Sequence, residues 1–271
     1  MKVKADINFL AVIAIGTLVA STATATPRVL PFTYPYETLP EGSAEIEQFV
    51  DATWVRIPKA IGATDTTFAP AFVHTTEIEY GVTDRLEVAS YLTWSQDASP
   101  TPAMTFEGTQ ARARYRVGDE GELPIDVAFY LEGALFHDEY ELEEKVILSK
   151  RFGNLHVMAN LWVEQEFARG QAGAVLIVNP TFGVTYQLAP QLHLGAEYWA
   201  RGELAPDAAA GSVAQFNEQL HHFVGPAVSF TFGKLWWTVA AYSRVDRLSR
   251  ASQLGDAYGK VWLRTAVGLE F

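Results

Sequence analysis

Residues 258–271 constrain the fold of this chain more than any other stretch. Val261, Leu263, Thr265, Val267, Leu269 and Phe271 alternate with Lys260, Trp262, Arg264, Ala266, Gly268 and Glu270. A strand here has one apolar face and one face carrying both charge signs. A soluble sheet would bury the apolar face under a helix, but the chain beyond its N-terminus has no amphipathic helical period of useful length. Lipid is the remaining apolar partner. In lipid every backbone donor and acceptor must be satisfied within the protein, so this strand has to pair on both edges, with its predecessor and with the first strand. The pattern therefore predicts an all-β fold, a closed antiparallel up-and-down transmembrane β-barrel.

Beyond the N-terminus no apolar run reaches the roughly 18 residues of a spanning helix, although 49% of the chain is hydrophobic. An aromatic content of 13% fits two interfacial girdles, and would also fit a soluble β-sandwich. The absence of cysteine excludes disulfides and thiolate metal sites and is compatible with an exported protein. Residues 1–25 read as a cleaved export signal: Lys2 and Lys4, an apolar stretch from Ile7 to Ala20, then Ala23-Thr24-Ala25. The alternative is a membrane anchor. Losing Lys2, Lys4 and Asp6 takes the formal charge from −12 to −13, and such acidity argues against a nucleic-acid partner.

Residues 26–42 hold Pro27, Pro31, Pro35 and Pro40 with Phe32, Tyr34 and Tyr36 between them. They should be extended and unable to join a central ladder, leaving either a periplasmic tail or a plug whose aromatics narrow the barrel mouth. From residue 43 the chain reads as twelve strands with alternating short and long connections, which places both termini on the periplasmic side. In the first strand Ile46, Val50 and Trp54 face out and Glu45, Glu47 and Asp51 face in; a second run from Phe72 to Tyr80 turns Glu77 and Glu79 inward. A tight turn at Asp84-Arg85 leads to inward Glu87 and Tyr91. Arg112, Arg114 and Arg116 share the inner face of the fourth strand, and Asp126 and Glu132 that of the fifth. The sixth, 142–152, is the least regular. Glu164 and Glu166 face in from the seventh strand, and His193, Glu197 and Arg201 from a later one. The longest gap is 202–219; Arg244 and Arg264 face in from the last two strands. Pro180 and Pro226 fall inside strands and should each mark a bulge or kink.

Three segments together carry a family resemblance: Glu41-Gly42, the run Glu77-Ile78-Glu79-Tyr80-Gly81-Val82-Thr83-Asp84-Arg85-Leu86-Glu87, and Gly225-Pro226. With them the chain resembles the outer-membrane barrels typified by proteins of the phenol meta-cleavage pathway, best over the first three strands. The resemblance implies a bacterial outer-membrane transporter or channel for small molecules, aromatic or hydrophobic ones among them, and brings no residue-level site. The final strand ending in Phe271 also resembles the C-terminal signal of outer-membrane proteins that the barrel-assembly machinery reads.

The candidate site is the lumen. Glu45, Glu47, Glu77, Glu79, Glu87, Asp126, Glu132, Glu164, Glu166 and Glu197 face Arg112, Arg114, Arg116, Arg244 and Arg264. Groups of this kind must be paired or hydrated to stay ionised. Strand order sets Glu87 on one side of the arginine strand and Asp126 and Glu132 on the other, so cross-strand pairs are expected. The array is either a structural network filling the barrel or a charged constriction that orients polar solutes in a watery pore. Twelve strands permit a narrow pore or a plugged lumen. Two other readings stay open. One is a lipid-acting rim enzyme, for which His221 and His222 with Ser212 and Glu218 are the only cluster worth naming. The other is a non-conducting structural or adhesive barrel. No cofactor or metal is expected, since adjacent histidines on a strand point to opposite faces.

Overall fold

The computed structural model describes residues 27–170, 173–205, 215–216, 220–246, 256 and 258–271. The proposed signal lies outside them. The strands are β1 (Ala44–Pro58), β2 (Thr66–Thr83), β3 (Leu86–Gln96), β4 (Met104–Val117), β5 (Asp126–Phe136), β6 (Glu139–Phe152), β7 (Leu155–Ala168), β8 (Val175–Val178), β9 (Thr181–Ala189), β10 (Leu192–Ala205), β11 (Gln215–Phe216), β12 (His221–Phe232), β13 (Leu235–Arg244) and β14 (Val261–Glu270). All pairings are antiparallel. Neighbouring staves pair in chain order, β8 and β9 acting as two halves of one stave between β7 and β10, β10 pairing with β12, and β1 with β14. The result is a closed ring of twelve staves; the short β11 attaches to the end of β10 outside that ring. Closure gives each of the twelve staves a hydrogen-bonded neighbour on both sides, the condition that the lipid face imposes.

Side-chain parity follows the expected alternation. Ile78, Phe129, Leu131 and Leu161 point outward and are more than half exposed, whereas Glu77, Tyr130, Glu132 and Asn160 beside them are buried inside. Aromatic residues collect at both ends of the apolar band. Tyr80, Tyr115, Tyr186 and Phe271 ring the rim that carries the termini, and Trp94, Phe106 and Tyr140 ring the other.

Three boundaries move from the sequence reading. β2 starts at Thr66, because its outer part pairs only with β1; pairing to β3 ends at Phe72, so Pro70 loses no ladder partner there. β6 starts at Glu139, which adds Glu139 and Glu141 to the inner face that Glu143 and Lys145 share, while Glu144 and Lys150 point out. β10 continues to Ala205, shortening the gap assigned to 202–219. The two prolines produce no bulge. At Asn179-Pro180 the stave breaks into β8 and β9, yet Gly202 pairs with Val178 and Trp199 with Thr181 in one unbroken register. Pro226 keeps its place opposite Ala196 and interrupts only the ladder to β13. Each proline removes one donor without inserting a residue.

Candidate functional site

Residues 27–42 run inside the barrel. Leu30, Tyr36 and Leu39 are essentially fully buried, and Arg28, Phe32 and Tyr34 nearly so. A buried segment with no ladder of its own must find partners for every peptide group. Its four prolines remove four donors, and the inner wall supplies partners for much of the rest. Glu197 accepts hydrogen bonds from the Phe32 amide (3.0 Å) and the Thr33 amide (2.5 Å), and Asn160 brackets Tyr34, accepting from its amide (2.6 Å) and donating to its carbonyl (3.2 Å). The Leu39 amide donates to Glu87 (2.8 Å), Thr238 donates to the Arg28 carbonyl (2.8 Å), and Arg264 to the Pro31 carbonyl (3.2 Å). The wall is also shaped for the segment. A Cβ on Gly81 would sit 2.0 Å from the Pro40 carbonyl oxygen, so a larger residue there would displace the segment's backbone, and one on Gly183 would sit 2.1 Å from a Leu30 methyl, which would have to move.

The segment enters and leaves at the rim of the termini. Pro27 and Val29 share a cavity of about 110 Å³ with Arg151, His156 and His193, beside the turns that join β6 to β7 and β9 to β10. At the other end Gly42 bonds to the Gly81 carbonyl. Its tip packs higher in the barrel: Phe32 lies 4.7 Å from Trp199 and 6.3 Å from Trp262, under the Arg264 guanidinium at 3.9 Å. Above the tip a cavity of about 450 Å³ remains, lined by Asp51, Tyr91, Glu143, Trp162, Arg201 and Trp262 among others.

The predicted inner residues divide into four groups. Around the segment, Arg112 binds Glu77 (2.9 Å), Glu87 (2.5 Å) and Glu79, and Arg114 binds Glu87 through both oxygens at 2.9 Å. Arg28 meets Glu47 and Glu77 at 3.2 Å and Glu79 at 3.4 Å. It thus fills the place where the Glu47, Glu77 and Glu79 carboxylates converge within 4.8 Å. Glu45 accepts from the Trp236 indole at 2.5 Å.

Around the upper cavity, Arg264 forms a two-point pair with Asp51 at 2.6 Å, and Arg201 a two-point pair with Glu164 (2.7 and 2.8 Å) that extends to Glu166 (3.0 Å). A third group sits at the rim of the termini. Arg116 points to the turns there, bonding Asp119 and the Asp84 carbonyl, and Asp126 accepts from the Gly121 amide at 2.7 Å. The fourth is at the opposite rim, where Arg244 binds Asp246, Asp256 and His221. Partial burial disfavours the Asp246 carboxylate, but the His222 amide and Arg244 outweigh it and hold its pKa below the usual aspartate value.

The expected cross-strand pairs are realised on one side only. Glu87 does pair with Arg114. Asp126 and Glu132, expected as partners of the arginine strand, bind Gly121 and Tyr130 instead. Arg112 turns the other way because Ala89 separates it from Glu79 in register, and a methyl group lets two long side chains meet above it. His221 and His222 do take opposite faces: His221 meets Arg244 at 2.5 Å, and His222 meets the outward Tyr198 hydroxyl at 2.7 Å. Ser212 and Glu218 lie outside the described residues. Sequence reasoning missed Arg28, which only the folded segment brings to the wall. It also missed Glu141, which precedes the 142–152 run, and Glu143 and Lys145 within it, where outward Glu144 and Lys150 blur the alternation.

No family model and no curated protein matches this chain. Among solved structures, a COG4313 outer membrane channel from Pseudomonas putida F1 superposes with a TM-score of 0.56 at 12% identity, over 87% of this chain and 98% of that one. The NanC porin superposes with a TM-score of 0.54 at 9% identity, over 83% and 98%. At such identities the likeness is one of fold, that of outer-membrane barrels.

Proposed function

We propose that this protein is a plugged channel of the bacterial outer membrane, exported through the periplasm and passing small solutes by diffusion without covalent chemistry. The observation that carries the reading is how residues 27–42 are held. They are fixed by side chains of the inner wall while the β1–β14 ladder closes the ring without them, so the segment can leave with the ring intact. The similar structures are described as a porin and a channel, and twelve staves leave a lumen wider than side chains alone would fill.

In this reading the inner residues have separate tasks. Arg112, Arg114, Glu77, Glu79 and Glu87 seat the plug, while the Asp51–Arg264 pair, Glu164 and Glu166 border the path of the solute. The family resemblance adds aromatic or hydrophobic molecules as candidate solutes, outer-membrane lipid as surroundings, and the assembly machinery, through Phe271, as a partner in biogenesis.

The test is single-channel recording in planar bilayers of the full mature chain and of one lacking residues 27–39. The full chain should conduct weakly or in brief openings and the truncated one steadily and at larger amplitude. Equal conductance in the two proteins, or none in a folded truncated barrel, would refute the reading.

A further inference from the structure

The inner wall made by β6, β7, β8 and β10 stacks its charges in rungs. Lys145 faces Trp162, whose carbonyl accepts the Asn179 amide at 3.0 Å. One rung outward, Glu143, Glu164, Ile177 and Glu203 stand in register across the four strands, and beyond them Glu141 faces Glu166. With Glu139, six carboxylates share this face with two cations, Lys145 and Arg201.

The lower rung already holds an ammonium group. Lys145 Nζ lies 3.6 Å from the Trp162 ring centroid and 4.0 Å from those of Tyr34 and Tyr130, with the Glu143 carboxylate at 2.5 Å. That is a complete aromatic cage with its counter-ion. Above it, carboxylate oxygens of Glu141, Glu164 and Glu166 lie within 4.8 Å of one another. Arg201 bridges Glu164 and Glu166; the Glu141 side chain makes no hydrogen bond or ion pair among the described residues. Independently, the strand break at Pro180 leaves Asn179 facing the lumen at 4% exposure, its Oδ1 acceptor unpartnered, on the border of the same 450 Å³ cavity. A buried acceptor without a donor is costly and points to a donor that is not part of the chain.

We propose that this wall selects organic cations, binding a primary ammonium at the Glu141, Glu164 and Glu166 carboxylates. The apolar body of the solute lies over Phe32 at the tip of the plug and Trp199 on β10, and Asn179 offers a second acceptor below. This deepens the channel reading by naming its solute class.

The probes are phenethylammonium, its neutral counterpart phenethyl alcohol, and calcium, each titrated into the folded full-length protein and followed by tryptophan fluorescence, since Trp162 and Trp199 border the cavity. The ammonium compound should bind at least tenfold more tightly than the alcohol, and Glu141→Gln with Glu166→Gln should weaken it roughly tenfold or more. Should that double variant misfold, Glu141→Gln alone gives the same comparison. Equal binding of the alcohol, wild-type affinity in the variant, or calcium binding that the amine does not compete for would each overturn the proposal. Because fluorescence needs no current, binding without conductance would remove the channel reading and leave the site, while conductance without amine binding would do the reverse.

Discussion

Replacing Glu197 with alanine removes the acceptor that holds the tip of the internal segment. In the folded protein its Oε1 takes the amides of Phe32 and Thr33, and its other oxygen takes the Tyr242 hydroxyl. Alanine leaves two buried peptide donors without partners, and each such loss costs about 1–3 kcal/mol. At about 1.5 kcal/mol apiece the docked state loses about 3 kcal/mol, which raises the undocked population roughly 150-fold. Amide hydrogen exchange of the refolded protein reads this population directly for Phe32, Thr33 and Tyr34. Leu39 adds a discriminating position, because its amide is held elsewhere, by Glu87. If the segment leaves as a unit, protection at Leu39 falls with that at Phe32; if only the tip detaches, Leu39 keeps its protection. Glu197→Gln retains a carbonyl acceptor in nearly the same place and should lose less than tenfold. Unchanged protection at Phe32 and Thr33 in the alanine variant would refute the argument that wall side chains hold the segment.

Two further outcomes follow from the same geometry. Arg112→Met leaves Glu77, Glu79 and Glu87 buried with fewer partners and should cost about 3–5 kcal/mol, read as a lower urea midpoint for barrel unfolding; an unchanged midpoint would show that the network adds no stability. Asp246 has its pKa depressed in the folded protein, so the stability it contributes is present above the unfolded value of 3.8 and is lost as the pH falls through the folded value. The difference in stability between wild type and Asp246→Asn should therefore be constant at neutral pH and shrink below about pH 4, and a difference that stays constant into that range would contradict the assignment.

Much of the architecture is written in the period of the chain. A strand that alternates every second residue cannot hide which face is apolar, so the outward set, the count of twelve staves and the need for closure are all legible without coordinates. β6 is the instructive exception. Glu144 and Lys150 stand on its outer face and blur the alternation, which concealed Glu141, Glu143 and Lys145 on the inner one.

What the sequence cannot encode locally is which inward group meets which. Arg112 passes over Ala89 to reach Glu79 two strands away, and Arg201 reaches Glu164 across the β8 stave. Partner choice across a barrel depends on the bulk of the side chain between and on strand stagger, neither of which a single strand's pattern contains. The same holds for residues 27–42. Their prolines announce a segment that cannot join the ladder, but only the closed ring creates the cavity in which Glu197, Asn160 and Glu87 converge on its peptide groups. The sequence by itself determined a wall with an apolar outside and a charged inside. The tertiary structure decided that much of this charged inside is spent on holding the protein's own N-terminal segment, because polar groups enclosed in a ring this narrow must satisfy one another or whatever the ring encloses.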